Sequence, residues 1–278
     1  MRITADICVA RGITPVSIRH RREVMDNNYN TYHLHTEDSL LDSCTNYRLY
    51  VDKAVELGQA VICFTEHGNI YNWIEKKMYA NSKGLKYLHG VECYLTASLE
   101  DKVRDNYHTI LIAKNYDGVK EINSLIDLST RPDHMYYKPR ITFDEFFNIS
   151  ENVFKISACL ASPLSKYPSF ATEHYTAKIK ELDGLIEDED KKINDYLSDT
   201  ANLKKWVDEV EKKCDAQKCL TPWDCGEFNS PESAYLEAIS QVKQAYQSQK
   251  SFYQSLLDDS RNVYDKLLRT YDYYEVGS

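Results

Sequence analysis

Two histidines open the stretch Tyr32–Ser43, which reads Y-H-L-H-T-E-D-S-L-L-D-S. His33 and His35 are two residues apart, so on an extended strand both imidazoles share one face. Neutral imidazole is the commonest protein metal ligand, and Asp42 adds a hard carboxylate from the loop that follows. Further on stand His67 in T-E-H-G-N, Glu92 in G-V-E-C-Y, His108 at the start of Y-H-T-I-L-I-A, and Cys159 in I-S-A-C-L. Each has an ordinary reading by itself. A histidine pair on an edge strand is often a solvated face, His67 before Gly68 could close a turn, and Glu92 could be a buried acid paired with a lysine. Cys159 could be a small core residue. Together they recur at successive strand–loop junctions, where uncompensated polar groups are costly. A cluster of histidines, carboxylates and one thiol suits zinc, manganese or iron in a multinuclear site. Such sites usually hydrolyse phosphoesters.

The elements that must position these residues follow from the apolar pattern. Thr31–His35 reads as a strand. Tyr47–Leu57 has helical spacing, with Tyr47, Tyr50, Val51, Ala54 and Val55 inward, and stops at Gly58. Ala60–Phe64 is apolar throughout, as expected of a strand buried on both faces. A helix over residues 71–83, a strand over Lys86–Leu95, a strand over Tyr107–Ala113, a helix near Tyr116–Ser129 and a strand over Val153–Cys159 complete the alternation. Such a pattern predicts an α/β domain with a parallel sheet or barrel, whose site lies at the strands' C-terminal ends.

Composition bounds the rest. Hydrophobic residues make up 42% of the chain and charged residues 28%, ordinary values for a globular protein. No apolar run approaches the roughly 20 residues that cross a bilayer, and the first residues lack a secretory apolar stretch. The expectation is a cytoplasmic protein, with no membrane partner, whose eight cysteines stay reduced. The net charge of −9 is uneven: residues 1–170 hold 20 basic against 21 acidic residues, and residues 171–278 hold 14 against 22. Neither half shows a basic face for nucleic acid. Residues 1–30, with the run Arg19–Arg22, read as an N-terminal extension, either a short strand and helix or a loose basic arm.

The segments H-L-H-T-E-D-S-L-L-D-S, F-T-E-H-G-N-I-Y, G-V-E-C-Y, A-K-N-Y-D-G, Y-Y-K-P-R-I and I-S-A-C-L-A-S-P-L occur in that order. Over about residues 31–166 the chain thereby resembles the PHP domain of the bacterial replicative DNA polymerase III alpha subunit. The resemblance implies a distorted (β/α)7 barrel, incomplete at its C-terminal end, holding up to three divalent metal ions. It places the metal ligands on His33, His35, Asp42, His67, Glu92, His108 and Cys159, with Glu92 as the bridging carboxylate. It also implies 3′–5′ exonuclease or other phosphoesterase potential. Glu66 stands where the family usually has aspartate, a carboxylate set behind the ligands. The family's late D-x-H segment has no counterpart after Cys159, so the chain alone is expected to be weak or inactive as an enzyme. The implied partners are the rest of a polymerase chain (palm, thumb and fingers, a DNA-directed nucleotidyltransferase) and DNA through it. Two alternatives stay open: a free-standing metallophosphoesterase for a small phosphorylated substrate, and an inactive metal-stabilised scaffold.

The resemblance leaves residues 171–270 unexplained. Ile179, Leu182, Ile186, Ile193, Tyr196, Leu203, Val207 and Val210 form one heptad seam, and Tyr235, Ile239, Val242, Tyr246, Tyr253, Leu256, Val263 and Leu267 another. Thr221–Gly226 breaks the helices, and Ser230-Pro231 suits a helix start. The pattern predicts an antiparallel helical hairpin insertion, a possible protein-binding arm, folding about Asp224 with residue 203 opposite roughly residue 245 and with Leu203 and Val207 facing residues such as Val242, Tyr246 or Ile239. Cys214, Cys219 and Cys225 near its tip fit zinc spacings poorly and read as reduced cysteines around a turn. Residues 31–170 would form the metal-binding barrel, with residues 271–278 returning to it.

Overall fold

The computed structural model describes residues 6–9, 29–198 and 200–276. In chain order the elements are β1 (Asp6–Val9), α1 (Tyr47–Glu56), β2 (Val61–Phe64), α2 (Trp73–Ser82), β3 (Lys86–Thr96), β4 (Tyr107–Ala113) and α3 (Tyr116–Ser129). There follow β5 (Met135–Tyr136), β6 (Lys138–Thr142), α4 (Phe143–Phe147), β7 (Val153–Ile156), α5 (Pro163–Phe170) and a π-helical turn, Ala171–Tyr175. The last are α6 (Thr176–Ser198), α7 (Ala201–Gln217), α8 (Pro231–Thr270) and β8 (Tyr273–Val276). Two compact units result. One is built from the residues up to Pro168 and from Asn262 onward, the other from Ser169–Arg261.

The first unit is a mixed α/β fold whose sheet curls into a half-barrel in the order β1-β8-β7-β4-β3-β6-β5, with β2 also on β3. The sheet is not the all-parallel one the alternation suggested. β4 runs antiparallel to both β3 and β7, whereas β2 and β6 run parallel to β3. β3 is the organising strand. Its first half pairs with β2 and its last residues with β6, and from residue 89 onward it is buried. Alternation of side chains along β2 divides the core. Ile62 and Phe64 pack with Tyr47, Val51 and Ala54 of α1 and Ala80 of α2. Cys63 points the other way, into a cluster with Ile110, Ile112 and Ile156. Each of these large aliphatic or aromatic side chains contributes about 1.5–3 kcal/mol by leaving water.

Local signals set the helix ends. The Asn46 side chain accepts from Arg48 N–H at the start of α1, and Gly58 beyond its end takes a φ of 70°. Val55, expected to face inward, is exposed, because α1 buries only the Tyr47–Val51–Ala54 stripe. Thr31–His35 is not a regular strand. A single bridge joins Thr31 to Ile62, and the segment then follows β2 partly through side chains: Leu34 N–H donates to Thr65 Oγ1 and Thr36 N–H to Glu66. The N-terminal basic run lies outside the described residues.

The second unit departs from a two-helix hairpin. Its first arm is two helices, α6 and α7, and the long α8 answers them both. Leu203 packs with Ile239, one of the expected partners, and with Tyr235, so its register is shifted from residue 245 toward the start of α8. Ion pairs Lys250–Asp183 (2.5 Å) and Lys243–Asp190 share one antiparallel register between α8 and α6, displaced in the same direction. Gln217 at the end of α7 and Pro231 at the start of α8 are equally far from Asp224, so the shift lies in the path of the loop that joins them and not in where the helices end. Among the described residues no helix is long and apolar enough to cross a membrane.

Candidate metal centre

Glu92 sits in the middle of β3 with 1% exposure. Its backbone is held on one side by the Glu66–Gly68 segment, with Glu92 N–H donating to Glu66 O and Gly68 N–H to Glu92 O. On the other side it faces Ile110 of β4. Around its carboxylate four imidazoles converge. His33 Nε2 lies 2.8 Å and His35 Nε2 3.0 Å from Glu92 Oε2. His108 Nδ1 closes on Oε1, and His67 Nδ1 stands 3.8 Å from it. Asp42, half exposed at the rim, reaches His67 Nε2 at 3.2 Å and His35 Nε2 at 3.9 Å.

Three overlapping groups, His33–His35–Glu92, His35–Asp42–His67 and His67–Glu92–His108, each bring three donor atoms within 4.8 Å of one another. Cys159 belongs to none of them. It lies past the end of β7 on an exposed loop, where its thiol hydrogen-bonds His108, and that bond holds it below the usual thiol range. His174 stacks on Phe170 in the π-helical turn.

The donor set fits a cation. His67 Nδ1, Glu92 Oε1 and His108 Nδ1 are buried and have no hydrogen-bond partner among the described residues. Glu92 and His108 are in contact, but not in hydrogen-bond geometry. Buried polar atoms that converge without partners are costly unless something charged lies between them. The protonation equilibria show the same demand for positive charge. Burial lowers the pKa of His33, yet its hydrogen bonds to Glu275 and Glu92 outweigh this and raise it to about 10. Burial likewise lowers His108, and Cys159 and Glu92 raise it to about 9. Burial raises Glu92, but the close contact of His108 and hydrogen bonds from His33 and His35 hold its carboxyl far below the usual range. Burial holds the pKa of His67 below its ordinary value, against the opposing pull of the Glu92 carboxylate.

Behind these groups Glu66 organises the loop that carries His35 and Asp42. Its oxygens accept from Thr36 Oγ1 (2.6 Å), Ser39 Oγ (2.5 Å) and Lys76 Nζ (2.7 Å). Ser39 Oγ in turn accepts from His67 N–H and touches His35 Nδ1. Burial raises the pKa of Glu66, but Lys76 and the two hydroxyls bring it below its ordinary value. Lys76 is 1% exposed and also pairs with Asp38. It occupies an inward slot of α2, one turn before buried Ala80, and a lysine in an apolar position was the signal for it. The P-R-I motif has a structural role. Pro139 packs under Gly68, which has a positive φ and where a Cβ would stand 2.7 Å from Pro139 Cγ. Arg140, fully buried, reaches Asp105 at 3.5 Å. Tyr94 of β3 forms one wall of the site, stacked on His67.

The family model of the PHP domain matches residues 31–202. The chain belongs to the PHP domain family. Its relatives include the DNA polymerase III alpha subunit of Aquifex aeolicus, 29% identical over 233 residues, 77% of this chain and 20% of that one. The Campylobacter jejuni alpha subunit is 35% identical over 131 residues, 46% of this chain and 11% of its own length. Across such relatives the identity is 28–35%, and the match is to their N-terminal region. This PHP chain spans about a fifth of the length of the Aquifex relative. Among solved structures, an amidohydrolase from Chromobacterium violaceum overlaps with a TM-score of 0.28 and 19% identity, over 36% of this chain and 34% of that one, too little to bear on the fold. PHP membership and the grouped His and Glu side chains imply divalent-metal binding.

Proposed function

We propose that residues 31–170 form a multinuclear divalent-metal centre with phosphoesterase capacity, in the setting of a DNA polymerase III alpha-like chain. The reading rests above all on Glu92, a buried carboxylate ringed by four histidines with an unpartnered oxygen. His33, His35, His67 and His108 would hold the ions through their imidazoles, Glu92 would bridge them, and Asp42 and Cys159 would complete the set at the rim. Bound divalent ions supply Lewis acidity and an acidified water, the usual means of phosphoester hydrolysis. Glu66, Lys76 and Ser39 keep the 36–42 loop in place so that His35 and Asp42 face the same point. The helices of residues 171–270 are the insertion in this scheme, available to a protein partner.

Elemental analysis of the purified chain, with single-stranded DNA hydrolysis measured in added manganese, tests the proposal. At least one zinc, manganese or iron ion should accompany each wild-type chain and be lost from Glu92→Ala. Hydrolysis should be slow and should vanish in the same variant. Metal content that is negligible in the wild type, or equal in the two proteins, would overturn it.

A further inference from the structure

β8 brings a carboxylate to the site from the far end of the sequence. Both oxygens of Glu275 lie on His33 Nδ1, at 3.0 and 3.1 Å, and its side chain is 11% exposed. The other nitrogen of that ring, Nε2, faces Glu92 Oε2 and lies 3.1 Å from His35 Nε2. An imidazole offers a lone pair at one nitrogen only while the other carries its proton, and the partner of the protonated nitrogen fixes both tautomer and ring angle.

The strand does not need this side chain to stay in place. Ile156 pairs with Tyr273, Ser157 N–H donates to Tyr273 O, Glu275 N–H donates to Ser157 Oγ at 2.9 Å, and Asp272 accepts from Lys155 N–H. On the other edge β1 pairs with β8 throughout. His33 stands between Thr31, which bridges Ile62, and Leu34, which bonds Thr65 in both directions, so its backbone is anchored and the angle of its ring is what Glu275 can set. We propose that Glu275 is a positioning residue of the metal centre, accepting the Nδ1 proton of His33 and so turning Nε2 toward the ions gathered at Glu92. The inference rests on the metal-centre reading above and gives it a carboxylate that the motifs between His33 and Cys159 do not contain.

Cobalt(II) titration of the chelator-stripped full chain provides the test, read by visible d–d absorption and by competition with a chelating dye. Glu275→Gln and Glu275→Ala should weaken cobalt binding about 10–100-fold and shift the d–d bands. Glu275→Asp should recover part of both, and the melting midpoint of the metal-free chain should barely change. If Glu275→Ala fails to fold, the isosteric Glu275→Gln carries the comparison. Wild-type affinity and band positions in Glu275→Gln would overturn the inference while leaving the metal centre standing. If the wild type itself takes up no cobalt, both fall together.

Discussion

Replacing Lys76 by methionine keeps the length of the side chain and removes its charge. In the wild type that charge serves two carboxylates, Glu66 at 2.7 Å and Asp38 at 2.9 Å, with Lys76 and Glu66 almost wholly out of water. Removing one partner of a buried ion pair typically costs about 3–5 kcal/mol. The lower end applies here. Glu66 keeps its bonds from Thr36 and Ser39, and Asp38 keeps two from Asn72 Nδ2. A loss of about 3 kcal/mol lowers the melting midpoint of a unit this size by about 6–12 °C. The pH dependence has a definite sign. Glu66 is held below its ordinary value of 4.5 in the fold, so its stabilisation is whole above that pH and is lost as the pH falls through the folded value. In Lys76→Met the carboxyl loses its attracting charge, so the melting midpoint should fall less steeply with acid. Circular dichroism melts of the chelated chain from pH 7 downward measure both effects. Adding Glu66→Gln to Lys76→Met should restore part of the loss, because it neutralises the stranded charge. A midpoint within about 2 °C of wild type, or no gain in the double variant, would refute this account of the loop.

Other outcomes follow from the same geometry. A chelator should lower the melting midpoint of the metal-loaded wild type, since an ion at a hundred times its dissociation constant adds about 2.7 kcal/mol; an unchanged midpoint would argue against a folded-state site. Metal affinity should fall as pH drops from 8 to 6, because His33 and His108 hold protons tightly and protons compete for their nitrogens; a flat isothermal titration series would contradict this. Leu203→Ala should cost about 2–5 kcal/mol in the helical unit. Because Trp206 lies against Tyr235, fluorescence of that unit should report its melting, and an unchanged transition would show that the Leu203 cluster is not its core. Gly118→Ala puts a methyl against the Asn152 carbonyl and should destabilise by about 1–3 kcal/mol, seen as a lower urea midpoint.

The sequence by itself determined much of the frame and singled out Glu92 and the four histidines that the fold gathers around it. The apolar runs Val61–Phe64 and Tyr107–Ala113 and the stripe through Tyr47, Val51 and Ala54 are local signals, because one buried face repeats with the period of the element that carries it. His33, His35, His67, Glu92 and His108 were legible for a related reason: each ends, begins or interrupts such a run, where a polar side chain needs a purpose. What the tertiary structure alone decided depends on contacts between distant segments. The direction of β4 against β3 is not written in either strand, since an apolar run reads the same both ways. The register of the helical unit turned on the path of the loop between α7 and α8, on which heptad spacing is silent. Thr31–His35 carries a strand's alternation, yet Thr65 and Glu66 side chains take some of the bonds a full ladder would have made. Glu275 lies 242 residues from His33, and only the parallel pairing of β8 with β7 brings its carboxylate to that imidazole.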